Sequence, residues 1–160
     1  MIRNVKLDDA KCIVNIYNEY IEKTTVSFET EPLTAFQMQM RIKEISSEFP
    51  YFVADENGAI IGYAYAHRWK ERAAYSKTLE TTIYLDMNHR HYGIGKQLMS
   101  YLIEECKRRG YRVLIACITG ENTESRAFHK HLGFKQVSCF HNVGEKFERL
   151  LDVTDMELQL

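Results

Sequence analysis

Residues 113–118, Val-Leu-Ile-Ala-Cys-Ile, form a near-continuous apolar run. A run that short and that apolar reads as a central strand of a sheet. The segments on either side of it dictate the rest of the architecture. Ile2–Lys6 alternates apolar and polar residues, as a strand does. Asp8 or Asp9 can cap a helix whose apolar positions Ala10, Ile13, Val14, Tyr17, Tyr20 and Ile21 keep the 3.6 period. Val26–Pro32 is a connection. Thr34 caps a second helix with a stripe at Met38, Ile42, Ile45 and Phe49, closed by Pro50. Tyr51–Glu56 and Ala59–Trp69 are strands joined by Asn57-Gly58, the residue pair of a type I′ turn. A polar loop, Lys70–Lys77, leads to a strand at Leu79–Leu85. Lys96–Arg109 is a helix expected to bury Leu98, Tyr101, Leu102 and Cys106, with Gly110 just past its end. Asn122 caps a short helix held by Phe128 and Leu132, Gly133 ends it, and Phe134–Val143 and Leu150–Leu160 are strands. The order βααβββαβαββ describes an α+β fold around one mixed sheet.

The 160 residues suit one domain, 1–160, with no linker or repeat inside it. A chain of this length buries roughly 68–70% of its unfolded surface and needs no disulfide staple. The cysteines Cys12, Cys106, Cys117 and Cys139 form no Cys-x-x-Cys pair. They read as buried small hydrophobes in a reducing, cytoplasmic compartment. His129 and His131 point to different sides of a helix, and His89-x-His91 lacks an evident third ligand, so no metal site is expected. Lysine plus arginine is 21 and aspartate plus glutamate 22. That balance argues against a protein that coats nucleic acid or an anionic membrane. No apolar run approaches the ~20 residues of a membrane span, and the N-terminus lacks a signal-peptide core.

The most informative short motif is Arg90-His91-Tyr92-Gly93-Ile94-Gly95, between a strand and an amphipathic helix. Two glycines one residue apart let successive backbone N–H groups turn inward at a helix N-terminus, which makes an anion cradle for phosphate or pyrophosphate. The P-loop pattern fails because Gln97 follows Lys96. The dinucleotide pattern fails because Leu98 stands where glycine is required. Standing alone, the motif is equally consistent with an ordinary loop carrying two turn glycines.

Arg-x-x-Gly-x-Gly in this setting resembles the pyrophosphate loop of the GNAT N-acetyltransferases. The block Asn122–Phe134 resembles their fourth helix, and the element order resembles their fold. Three further stretches resemble the phosphinothricin acetyltransferase subfamily: Ile16-Tyr17-Asn18 with Thr25–Pro32, Trp69-Lys70-Glu71-Arg72-Ala73-Ala74-Tyr75, and Leu79–Leu85. The resemblance implies a mostly antiparallel seven-stranded mixed sheet flanked by four helices. It also implies transfer of acetyl from acetyl-CoA to a primary amine of a small amino acid analogue, such as phosphinothricin, methionine sulfoximine or methionine sulfone. The attack would be direct, within a ternary complex. A protein N-terminus, a polyamine, or a non-catalytic acetyl-CoA-binding module are the alternatives.

The same resemblance distributes roles. Glu80, which the residues alone describe as a solvated carboxylate at a strand end, becomes the base. His129 becomes either the thiolate's proton donor or packing beside the sulfur. Ile83, Leu85, Arg90, His91, Tyr92, Gly93, Ile94, Gly95, Lys96, Asn122 and Ser125 would hold the coenzyme. Phe28, Trp69, Arg72 and Tyr75 would form the acceptor pocket, with Arg72 able to grip a carboxylate. A homodimer is implied too. The last hairpin departs from the subfamily pattern at Glu145, Glu148 and Leu150, and its two extra carboxylates would repel an anionic acceptor.

Overall fold

The computed structural model describes residues 1–89 and 93–160. Seven strands form one sheet in the order β1-β2-β3-β4-β5-β7-β6. They are β1 (Ile2–Asn4), β2 (Tyr51–Glu56), β3 (Ala59–Arg68), β4 (Thr78–Leu85), β5 (Val113–Thr119), β6 (Lys135–Lys146) and β7 (Arg149–Gln159). Every neighbouring pair is antiparallel except β4 with β5. Helices α1 (Ala10–Lys23), α2 (Ala35–Glu48), α3 (Ile94–Arg108) and α4 (Thr123–His131) complete the order. The expected α+β architecture is therefore the observed one.

The sheet separates two apolar layers. On one face Ile13 and Tyr20 of α1 and Met38 and Ile42 of α2 pack on Val53 and Tyr63. On the other, Leu98, Leu102 and Cys106 of α3 meet Ala64, Leu79, Leu114 and Met156, with Phe128 of α4 against them. Ile13, Ile21, Ile42, Leu98 and Leu102 are almost wholly buried. Each contributes about 1.5–3 kcal/mol of transfer free energy.

Local signals account for most boundaries. Thr34 accepts from the Gln37 N–H while Gln37 bonds back to Thr34, a reciprocal cap at the start of α2. Asn57 and Gly58 both take positive φ in the predicted turn, and Gly110 and Gly133 close α3 and α4 in the left-handed region. Asp9 caps differently from the expected N-cap. It ends a 3-10 turn at Leu7–Asp9, accepts the Lys6 N–H and pairs with Arg3.

Three expectations need correction. Tyr101 is 55% exposed, with the flank of its ring leaning edge-on against Phe52. Of the four cysteines, all free, only Cys106 is buried. The last hairpin turns at Phe147-Glu148, two non-glycine residues at φ 52° and 58°. No turn signature marks that pair, so the hairpin register was not legible.

Candidate active site

The site arises where the sheet splits. β4 runs parallel to β5 only through the partners Thr78–Val113, Leu79–Leu114 and Glu80–Ile115. Beyond Glu80, β4 follows β3 to Leu85 while β5 follows β7 to Thr119. The edges that part company line two clefts. One, of about 460 Å³, is walled by Glu80, Thr82 and Tyr84 of β4, Cys117 and Thr119 of β5, Phe28 and Glu29 of the α1–α2 loop, and His129. The other, of about 270 Å³, is lined by Leu85, Gly93, Gly95, Lys96, Glu124 and Phe128. Val26, Ile83, Tyr84, Asn122 and Ser125 line both, so the two clefts adjoin.

The smaller cleft ends at the N-terminus of α3. Gly93 caps that helix at φ 74°, a conformation most side chains avoid. Gly95 is needed for a different reason. A Cβ there would sit 3.2 Å from Leu85 and 3.4 Å from Phe128. Backbone N–H groups and the positive end of a fifteen-residue helix thus open onto a cleft that only glycine keeps free. The residues fit an anionic, elongated ligand such as a coenzyme. Arg90, His91 and Tyr92 lie outside the described residues. The Ile94 side chain packs against the core below α3 and is absent from the cleft wall. Asn122 caps α4 by accepting the Ser125 N–H at 3.1 Å, a cap that leaves its amide nitrogen available. The Leu85 carbonyl accepts from the Tyr20 hydroxyl at 2.7 Å.

Glu80 is the last β4 residue paired to β5, which places its carboxylate at the apex of the split. Burial raises its proton affinity above that of an ordinary glutamate; His67 and a hydrogen bond from the Cys117 thiol oppose this, and Asp155 adds to it. A carboxylate so placed can take up a proton at neutral pH. Its neighbour across the β3–β4 ladder, His67, holds Nε2 3.9 Å from Glu80 Oε1. The sequence carried no signal for His67, which only the strand register brings to Glu80.

His129 is 3% exposed and its ring meets Phe128 and Phe134 edge to face. Its Nδ1 lies 2.8 Å from the Ser125 carbonyl, to which it donates. Burial lowers its basicity, against that bond. The outcome is a neutral imidazole whose other nitrogen is an acceptor. This arrangement favours packing beside the sulfur over proton donation.

The α1–α2 loop that walls the larger cleft is tethered. Thr119 Oγ1 donates to the Thr25 carbonyl at 2.6 Å, and Lys146 Nζ donates to the Ser27 carbonyl at 2.7 Å. The Tyr17 hydroxyl contacts Ser27 and Glu29, and Arg41 grips Glu29 with both guanidinium nitrogens. Arg41 holds the Glu29 carboxyl below its usual range, against burial. Lys146, 4% exposed, has its pKa lowered by burial. Phe28 lines the larger cleft, its ring against Gly144.

Trp69, Arg72 and Tyr75 are not brought to this cleft. Trp69 and Tyr75 stack edge to face at 5.3 Å under the Lys70 ammonium, and Arg72 lines a separate cavity with Glu48 and Tyr111. Their loop contains a 3-10 turn, Ala73–Tyr75, that closes on itself. Glu145 and Glu148 are exposed and also lie off the cleft wall. One metal-capable group does form: Cys139, His141 and Asp152 carry ligand atoms within 4.8 Å of one another. Spacing could not foresee it, because the last hairpin brings Asp152 to the other two. Here His141 and Asp152 form an ion pair at 3.1 Å.

Residues 2–154 match the family model described as an acetyltransferase (GNAT) domain. The phosphinothricin N-acetyltransferase of Alcaligenes faecalis is 35% identical over 99% of this chain and 82% of its own length. The L-methionine sulfoximine/L-methionine sulfone acetyltransferase of Salmonella typhimurium is 32% identical over 99% of this chain and 94% of its own. A crystal structure of a GNAT superfamily phosphinothricin acetyltransferase from Sinorhizobium meliloti, in complex with acetyl-CoA, superposes with a TM-score of 0.96 at 37% identity, covering 100% of this chain and 88% of that one. A split sheet, a glycine-bearing helix N-terminus at its mouth and relatives matched along nearly the whole chain agree: the chain belongs to the GNAT acetyltransferase family and is an acetyltransferase enzyme with phosphinothricin N-acetyltransferase relatives.

Proposed function

We propose that the chain, as a single domain over 1–160, transfers acetyl from acetyl-CoA to the primary amine of a small amino acid analogue of the phosphinothricin, methionine sulfoximine or methionine sulfone class. Attack is direct, within a ternary complex. One observation carries the reading. Two adjoining clefts with a shared wall lie between the α3 N-terminus at Gly93–Gly95 and a half-buried carboxylate, Glu80, whose proton affinity is raised. The pantetheine arm would run through the split between β4 and β5. Gly93, Gly95 and Lys96 would bind phosphate, and Asn122 and Ser125 would bind the arm. Glu80 takes a proton from the incoming ammonium. Phe28 walls the acceptor site, and neutral His129 lines the sulfur side.

A cytoplasmic location suits the four free thiols. Among the described residues no helix is long and apolar enough to cross a membrane. A homodimer is supported by the exposed Val137, Phe140, Val143 and Leu150 on the last hairpin.

A second reading concerns the acceptor. Among the described residues, the wall of the larger cleft contains Glu29 and Glu80 but no lysine or arginine. That favours a cationic amine without a carboxylate, such as a polyamine. A thiol-release assay with phosphinothricin, methionine sulfoximine, methionine sulfone, a polyamine and an N-terminal peptide separates the two. Turnover with one of the three amino acid analogues supports the proposal. Turnover with only the polyamine or the peptide replaces the acceptor. Glu80→Gln should cost about 10²–10⁴-fold in kcat with acetyl-CoA affinity retained; full activity would remove Glu80 from the role of base.

A further inference from the structure

Acetylation of an ammonium releases a proton on every cycle. The nitrogen arrives with three protons, the amide keeps one, and the coenzyme thiol carries one away. One must leave through the base. The Glu80 side chain is 27% exposed, and that exposure opens onto the cleft the two substrates would fill, so unloading it during the cycle requires another path to solvent.

We infer that His67 is that path, a proton relay that unloads Glu80. The inference rests on Glu80 being the base. Two features of the geometry carry it. His67 faces Glu80 across the β3–β4 ladder, with Nε2 3.9 Å from Oε1, a gap that a small rotation of either side chain closes to hydrogen-bond distance for direct transfer. Its Nδ1 lies 3.0 Å from the Arg68 carbonyl, an oxygen that can only accept. Nδ1 therefore carries the proton of the neutral ring, and Nε2 presents its lone pair to the carboxylate. The side chain is 33% exposed, so a proton received on Nε2 can pass to bulk water.

The other groups around Glu80 do not suit this task. The Tyr65 hydroxyl on β3 is held protonated by burial, and the Cys117 thiol on β5 by desolvation in the cleft together with the facing carboxylates of Glu80 and Asp155. Asp155 on β7 is a second carboxylate, bonded to Cys117, and it strengthens the hold of Glu80 on its proton. His67 offers the basic lone pair aimed at Glu80. It is a positioning residue in the proton path and does not touch the acceptor.

The test uses the full-length enzyme with an amine it turns over. His67→Asn keeps an N–H donor for the Arg68 carbonyl but has no basic nitrogen; His67→Ala leaves room for added imidazole. Both should lower kcat by about tenfold or more, less than loss of the base itself, with the KM for acetyl-CoA unchanged. Imidazole should restore His67→Ala in proportion to its concentration. The acid limb of kcat/KM should move to higher pH in both, because His67 lowers the proton affinity of Glu80 whenever its ring carries the relayed proton. A thermal melt reports folding, and if His67→Ala is unfolded, His67→Asn with its pH profile decides. Folded variants with unshifted profiles and no response to imidazole overturn the relay. If Glu80→Gln is inactive while the His67 variants match wild type, the relay alone fails. If Glu80→Gln is fully active, the assignment of the base fails and takes the relay with it.

Discussion

Gly144→Ala tests whether the last hairpin shapes the acceptor site. Gly144 lies in β6 opposite Leu151 with an ordinary negative φ, so alanine suits its backbone. The consequence is purely steric. The new Cβ would lie 2.3 Å from Phe28 Cε2 and 2.9 Å from both Cδ2 and Cζ. Ordinary contact begins near 3.4 Å, so the ring must retreat by about 1 Å. Phe28 is 39% exposed and can move, and the open direction is the cleft it walls. Overpacking of this kind costs about 1–3 kcal/mol. Since the ring is mobile, most of that should appear as lost acceptor binding and orientation, roughly 5–150-fold in kcat/KM for the amine. Steady-state kinetics with each substrate varied, alongside thermal unfolding, provides the readout. The acceptor parameters should worsen while the acetyl-CoA KM stays put and the melting temperature barely moves. Unchanged acceptor kinetics would show that Phe28 does not wall the pocket. An equal loss toward acetyl-CoA would point to general distortion instead.

Two further predictions concern stability. Arg3→Ala strands Asp9, whose side chain is 10% exposed, and removes a partner of Asp55; urea unfolding at pH 7 should register a loss of about 1–3 kcal/mol. Burial raises the Asp9 pKa, but the bonds from Arg3 and the Lys6 N–H outweigh it and leave it below the usual value. The stabilisation is therefore present above about pH 3.9 and fades as pH falls through the lower folded value, so the gap between wild type and variant should narrow in acid and not widen. Glu148→Gly relieves a side chain held at φ 58° in the last turn and should raise stability by up to about 1 kcal/mol by the same measurement, with catalysis unchanged.

Much of the fold is written in local chemistry. Asn57-Gly58 specifies its turn because those two residues accept positive φ, and Gly110 and Gly133 stop their helices for the same reason. Thr34 and Asn122 cap because their oxygens satisfy N–H groups within three residues. The errors occur where a distant partner decides. Tyr101 has the period of a core residue but sits where the α3 stripe gives way to solvent. Phe147-Glu148 turns because β6 and β7 pair along their length and force the reversal between them. Trp69, Arg72 and Tyr75 read as an acceptor loop; in the fold Trp69 packs on Tyr75, and none of the three lines the cleft that holds Glu80.

The sequence by itself determined the element order and the glycine loop ahead of α3, since each depends on neighbours within a few positions, while Glu80 was singled out only through the family resemblance. Only the tertiary structure decided where β4 leaves β5, that His67 faces Glu80, that Lys146 tethers the Phe28 loop and that Cys139, His141 and Asp152 meet. Those facts depend on strand register and on where a sheet splits. Register is set by the sum of many weak cross-strand contacts, and no short stretch of sequence contains that sum.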